Sequence, residues 1–73
     1  MITPTVYLDG EKVKRARVVK GLTQRTLAEA AGVSPSTVNL IEQRKQDNER
    51  FHPTTLVALA EALDVPPADL LGD

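Results

Sequence analysis

The segment from residue 22 to residue 43, LTQRTLAEAAGVSPSTVNLIEQ, carries two helix starts separated by one helix stop. Thr23 is a good N-cap, because its hydroxyl can accept from a backbone N–H that lacks a partner in the first helical turn. Leu22 before it and Leu27 inside the helix are spaced as a hydrophobic staple, which fixes the angle at which the chain comes in. This helix is expected to run to about Ala31, where Gly32 supplies the left-handed backbone of a tight corner. Ser34 then caps a second helix, and Pro35 takes its first position, where no N–H is needed. Val33 and Val38 repeat the staple, and the helix is expected to end near Gln43. Two helices joined by so short a link must meet at a sharp angle. Ala28 is small enough to let them approach, and Leu27, Val38 and Ile41 fill the space between them and the rest of the core. That leaves Ser36, Thr37, Asn39 and Gln43 on the outer face of the second helix, beside an N-terminus of the kind that attracts phosphate.

Working outward, residues 2–8 read as extended, with β-branched and aromatic side chains and an early proline. Asp9 caps a helix over about residues 10–20, with Val13, Ala16 and Val19 roughly on one face and Gly21 as its stop. After Gln43, the charged stretch 44–50 reads as a loop. Another helix starts near Pro53, with His52 before it read as an ordinary residue at the helix start, not as a ligand or a catalytic base. Leu56, Leu59, Ala60 and Leu63 recur at i, i+3, i+4 and i+7, the stripe that an amphipathic helix buries. Pro66 and Pro67 end that region and open a last short turn over about residues 67–71, with Asp69 at its favourable end. Tyr7, Phe51, Leu70 and Leu71 either cap the core or form a dimer contact. The expected organisation is an extended segment over residues 1–9 and one all-α domain over residues 10–73.

Composition narrows the function. A chain of 73 residues has room for one modest core. With no cysteine and one histidine it offers neither a disulfide framework nor a set of soft metal ligands, so no metal and no cofactor is expected. One Tyr, one Phe and no Trp argue against stacking platforms for single-stranded RNA. No apolar run is long enough to span a bilayer and no signal-peptide pattern is present, so a soluble, intracellular protein without membrane partners is expected. The net charge of −1 speaks against a nucleic-acid partner, but its distribution does not. Residues 1–50 hold all nine Lys and Arg against six acids, whereas residues 51–73 hold Glu61, Asp64, Asp69 and Asp73 and no basic residue.

The spacing Gln24, Ala28, Gly32, Val38, Ile41 resembles the helix-turn-helix motif of the Cro/C1-type (XRE-like) repressors. The likeness extends back through Val13, Ala16 and Arg17 and forward through Thr55, Leu56, Leu59, Ala60, Ala62, Leu63 and Val65, covering roughly residues 10–71. The resemblance implies a compact five-helix, lambda-repressor-like domain that binds double-stranded DNA, with the helix at about 34–43 in the major groove. It implies that Gln24 and the amides near Thr23 hold phosphate, and that Pro35, Ser36, Asn39 and Leu40 face base edges. Asn39 would bridge adenine N6 and N7, Ser36 would donate or accept, and Thr37 and Leu40 would offer methyl groups to thymine. Ser34, mainly a cap, can add a phosphate contact; Gln43 is a further DNA-contact candidate; Arg44 and Lys45 would sit near phosphates. Arg17 and Glu42 would pair in a partly buried salt bridge between the first and third helices.

The function expected on this basis is sequence-specific regulation of transcription, as a repressor acting in the cytoplasm at the nucleoid and binding DNA as a homodimer. A second reading stays open: an antitoxin-like or other protein-interaction module on the same scaffold, favoured by the acidic 51–73 region. An enzyme is not expected, because the sequence shows no nucleophile with a base, no phosphate-cradling glycine loop and no metal-ligand cluster.

Overall fold

The computed structural model describes residues 5–43 and 50–72. In chain order it holds α1 (Gly10–Lys20), α2 (Gln24–Ala31), α3 (Pro35–Gln43), α4 (Pro53–Leu63) and a single 3-10 turn (Pro67–Leu70). The expected loop at 44–50, apart from Arg50, and the first four residues of the expected extended segment lie outside the described residues.

Each helix begins where a side chain can satisfy an orphan N–H. The Asp9 carboxylate accepts from the N–H groups of Glu11 and Lys12, and Glu11 lies at the positive end of the α1 dipole with Arg17 and Lys20 at the negative end. At α2 the cap is reciprocal: Thr23 Oγ1 accepts from Thr26 N at 3.0 Å, and Thr26 Oγ1 accepts from Thr23 N at 2.8 Å. At α3, Ser34 Oγ accepts from Thr37 N at 3.2 Å and shares a hydrogen bond with the Thr37 hydroxyl. At α4 the cap is the His52 ring, whose Nδ1 accepts from Thr54 N. Gly21 and Gly32 end α1 and α2 with φ of 79° and 72°. Helix α4 stops before the proline pair, at Asp64, which adopts φ 59° and donates its N–H back to the helix; aspartate is among the few side chains that tolerate this conformation.

The core is one cluster: Val13 from α1, Leu27 and Ala28 from α2, Val38 and Ile41 from α3, Leu56, Leu59, Ala60 and Leu63 from α4, and Leu70 from the final turn. Both staple residues, Leu22 and Val33, pack against it. Val19, expected on the buried face of α1, is instead 87% exposed. Six residues at about 100° each carry it well away from Val13, whereas Ala16 and Arg17, at i+3 and i+4, stay on the inner side.

The five-helix expectation is corrected, among the described residues, to four α-helices and a 3-10 turn. Pro67 removes an N–H at the first position, and by Leu71 the backbone is already extended, at φ −74° and ψ 139°. It is extended because Leu71 pairs antiparallel with Leu8, while Val6 pairs with Phe51. The N-terminal segment therefore lies between the chain leading into α4 and the chain leaving the final turn, joined by Val6 N to Phe51 O at 2.8 Å, Phe51 N to Val6 O at 2.9 Å and Gly72 N to Tyr7 O at 2.9 Å. These are isolated bridges, and no strand forms among the described residues. Leu70 is buried, and Phe51 and Leu71 pack partly buried on the core.

Leu59→Ala is expected to cost about 2–5 kcal/mol by urea unfolding, because it empties the centre of the cluster. Gly32→Ala should cost about 1–2 kcal/mol through backbone strain alone, since a Cβ there meets no atom within 4 Å. Val19→Ser should change stability by less than about 0.5 kcal/mol.

Candidate nucleic-acid interface

Helix α3 divides its residues between two environments. Val38 and Ile41 are buried, the Glu42 side chain is nearly so, Thr37 is half-buried, and Pro35, Ser36, Asn39, Leu40 and Gln43 are exposed. The exposed set follows from the 3.6-residue period once Val38 and Ile41 take the core side. Leu40 is 40% exposed, an apolar side chain on an otherwise polar surface. Gln43 Nε2 donates to Asn39 Oδ1 at 3.2 Å, one turn apart on that surface. The Thr37 hydroxyl is turned to Ser34, inside the cap. Arg44 and Lys45, expected beside phosphate, lie outside the described residues.

What holds this helix in place is a polar cluster at its C-terminal end. Arg17 Nε donates to Glu42 Oε2 at 2.7 Å and Arg17 Nη2 to Glu42 Oε1 at 3.1 Å, a two-point fork between α1 and α3. Arg17 Nη1 also donates to the carbonyl of Leu22 at 2.8 Å, the residue leading into α2. Gln24 Nε2 donates to Glu42 Oε1 at 3.1 Å. The Glu42 side chain is only 4% exposed and that of Arg17 13%, so the pair is nearly out of water and each charge relies on the other. Arg15–Glu11 and Arg25–Glu29 are i,i+4 pairs with well-exposed partners and contribute little.

Gln24 thus has one end occupied within the protein, a contact sequence reasoning missed. No local spacing signals it, because Gln24 meets Glu42 only once the corner between α2 and α3 has been turned. Thr23, beside it, is exposed at the start of α2. Beside α3, an open groove of about 550 Å³ runs between α1 and the end of α3, lined by Lys14, Arg15, Val18, Val19 and Gln43 among others. Among the described residues, no helix is long and apolar enough to cross a membrane, and no three His, Cys, Asp or Glu side chains are grouped to hold a metal ion.

A helix-turn-helix family model matches residues 13–70, most of the chain, spanning every helix of the core. The chain belongs to the XRE helix-turn-helix family. Its fold is that of a DNA-binding regulator. It is similar to the restriction-modification controller protein C.AhdI from Aeromonas hydrophila, with a TM-score of 0.75 and 32% identity over 85% of this chain and 89% of that one. It is also similar to the N-terminal DNA-binding domain of SinR from Bacillus subtilis, with a TM-score of 0.76 and 34% identity over 88% of this chain and 90% of that one. A hydroxyethylphosphonate dioxygenase contains a similar unit, with a TM-score of 0.76 and 26% identity over 90% of this chain but only 14% of the enzyme. No curated protein matches the sequence.

Glu42→Ala strands the Arg17 charge, and is expected to destabilise the XRE domain by about 3 kcal/mol in urea unfolding. Replacing both partners by apolar residues of similar volume, Arg17→Met with Glu42→Leu, should recover most of that loss. An additive double variant would mean that the pair is not coupled.

Proposed function

We propose that this protein is a sequence-specific transcriptional regulator, acting as a repressor, that reads the major groove of double-stranded DNA with α3. The observation that carries the reading is an exposed polar face on a helix whose other side is locked into the core. Ser36, Asn39 and Gln43 face out, while Val38, Ile41 and the Arg17–Glu42 fork hold the helix from behind. A rigid helix with an unoccupied polar surface suits groove readout, where side chains must meet base edges at fixed positions.

In this reading Asn39 bridges N6 and N7 of adenine, Ser36 donates to or accepts from a neighbouring base, and Pro35 and Leu40 present apolar surface to thymine methyl groups. Thr37 supports the first turn of α3 and offers its methyl group. Thr23 and Gln24 lie against one phosphate strand at the start of α2, and Gln24 keeps a second amide N–H for phosphate while the first binds Glu42. Ser34, Arg44 and Lys45 add phosphate contacts, which set register without reading sequence. One such module buries too little surface to bind tightly alone, so a homodimer on two half-sites about one helical turn apart is the working state. The solved complex of SinR with DNA, 33% identical over 84% of this chain with a TM-score of 0.74, supports the assignment.

A second reading, a protein-interaction module, is favoured by two observations. Glu61, Asp64 and Asp69 form an exposed acidic series on and after α4, and SinR, similar to this chain, has been solved in complex with the SinI protein. The two roles are compatible on one scaffold.

Selection of bound sequences from random duplex DNA is expected to return a palindromic motif. Asn39→Ala should cost about 1–3 kcal/mol and relax preference at one base pair. Lys45→Ala should weaken all sequences alike and lower the slope of log K against log salt by about 1. Unchanged affinity and preference in both Asn39→Ala and Ser36→Ala would rule out readout by α3.

A further inference from the structure

We infer that Gln43 is a positioning residue for base recognition: it sets which way the Asn39 amide faces, and so which base Asn39 accepts. The inference rests on the proposal that α3 reads DNA. Its own basis is the hydrogen bond from Gln43 Nε2 to Asn39 Oδ1, at 3.2 Å between two exposed side chains one turn apart on the outer face of α3.

An asparagine amide has an accepting side and a donating side, and a half-turn about its last bond exchanges them. A free, exposed asparagine can therefore present either side to a groove, which blurs the difference between bases that offer donors and bases that offer acceptors. In this protein the donor from Gln43 engages one lone pair of Asn39 Oδ1. That leaves both hydrogens of Nδ2 and the second lone pair of Oδ1 available, and it favours this order along the helix as long as the Gln43 amide keeps its donating side toward Asn39. Adenine needs such an ordered pair, since its N6 donates and its N7 accepts. The contact is weak in water, where an exposed i,i+4 amide pair adds little to helix stability. Its importance lies in a dehydrated groove, where a flipped amide would set donor against donor and acceptor against acceptor.

Position explains why Gln43 serves this role. It is the last residue of α3, on the same side as Asn39 and beside the groove that α1 forms with the helix end. From there it reaches back toward Asn39, and its remaining polar atoms stay exposed. Glutamate at that place reverses the arrangement, because a carboxylate only accepts. It would draw Nδ2 to itself and turn Oδ1 toward the DNA.

The test is selection from random duplex DNA with the whole chain, comparing wild type with Asn39→Ala, Gln43→Ala, Gln43→Glu and the double alanine variant, each checked for unchanged helicity and melting. Asn39→Ala identifies the base pair that Asn39 reads. Gln43→Ala is expected to reduce preference at that same base pair by about fivefold, the low end of what a two-point base contact discriminates. The double variant should be no less selective there than Asn39→Ala. Gln43→Glu should shift the preferred base from adenine toward cytosine, whose N4 offers only donors. If Gln43→Ala leaves that base pair untouched, or loses preference at a different one, the inference is overturned and readout by Asn39 stands. If wild type selects no motif, readout by α3 fails and this inference falls with it; if Asn39→Ala alone changes nothing, readout by Asn39 fails and the inference is overturned, while readout by α3 then rests on Ser36.

Discussion

The Glu42 carboxylate accepts hydrogen bonds from Arg17 Nε, Arg17 Nη2 and Gln24 Nε2, and these come from two other helices. A nearly buried charge is tolerable only when it is so surrounded, and the requirement works in both directions. The carboxylate needs α1 and the start of α2 in fixed places, and in turn it fixes the end of α3 against both. Apolar packing alone would leave a short helix some freedom to slide along its partners, because dispersion contacts have little directionality. A two-point guanidinium fork removes that freedom. The Arg17 contact with the Leu22 carbonyl extends the same fastening to the link between α1 and α2.

The rest of the fold follows from this frame. With α3 held at its end by polar bonds and along its length by Val38 and Ile41, its remaining surface is free of structural duty. Pro35, Ser36, Asn39 and Leu40 are neither caps nor core residues. On so small a domain, a helix face that contributes nothing to folding is a face available for recognition. Gly32 and the serine cap of α3 bound the corner between the helices on its two sides, and the reciprocal threonine cap secures the far end of α2.

Much of this was legible in the sequence, because much of it is local. Caps at Thr23 and Ser34, stops at Gly21 and Gly32, and the Leu56–Leu59–Ala60–Leu63 stripe are all written within a few residues of where they act. The failures have physical causes. Val13, Ala16 and Val19 recur every three residues, but each such step falls short of a full helical turn, so Val19 leaves the buried face. Asp64 ends α4 in a conformation that glycine usually supplies, so the clearest stop signal in the sequence is the proline pair beyond it. A histidine as N-cap acts through a ring nitrogen, outside the usual set of small polar caps. The fifth helix shrank to one turn because Leu71 is recruited by Leu8, far away in sequence. In the candidate site, exposure along α3 follows from its period. The internal bonds of Gln24 and of Asn39 with Gln43 depend on three-dimensional placement and rotamer, which spacing does not encode.

The pairing of Val6 with Phe51 and of Leu8 with Leu71 gives the molecule a seam of a different character from its helices. Helical turns form between near neighbours, but this seam joins the first described residues to the last, and such closure loses more chain entropy the longer the loop it completes. Few hydrogen bonds hold it, and most of its side chains are only half-buried. An unzipped seam would release Leu71 while Leu70 stays anchored in the core, so that local melting at this edge need not reach the corner between α2 and α3.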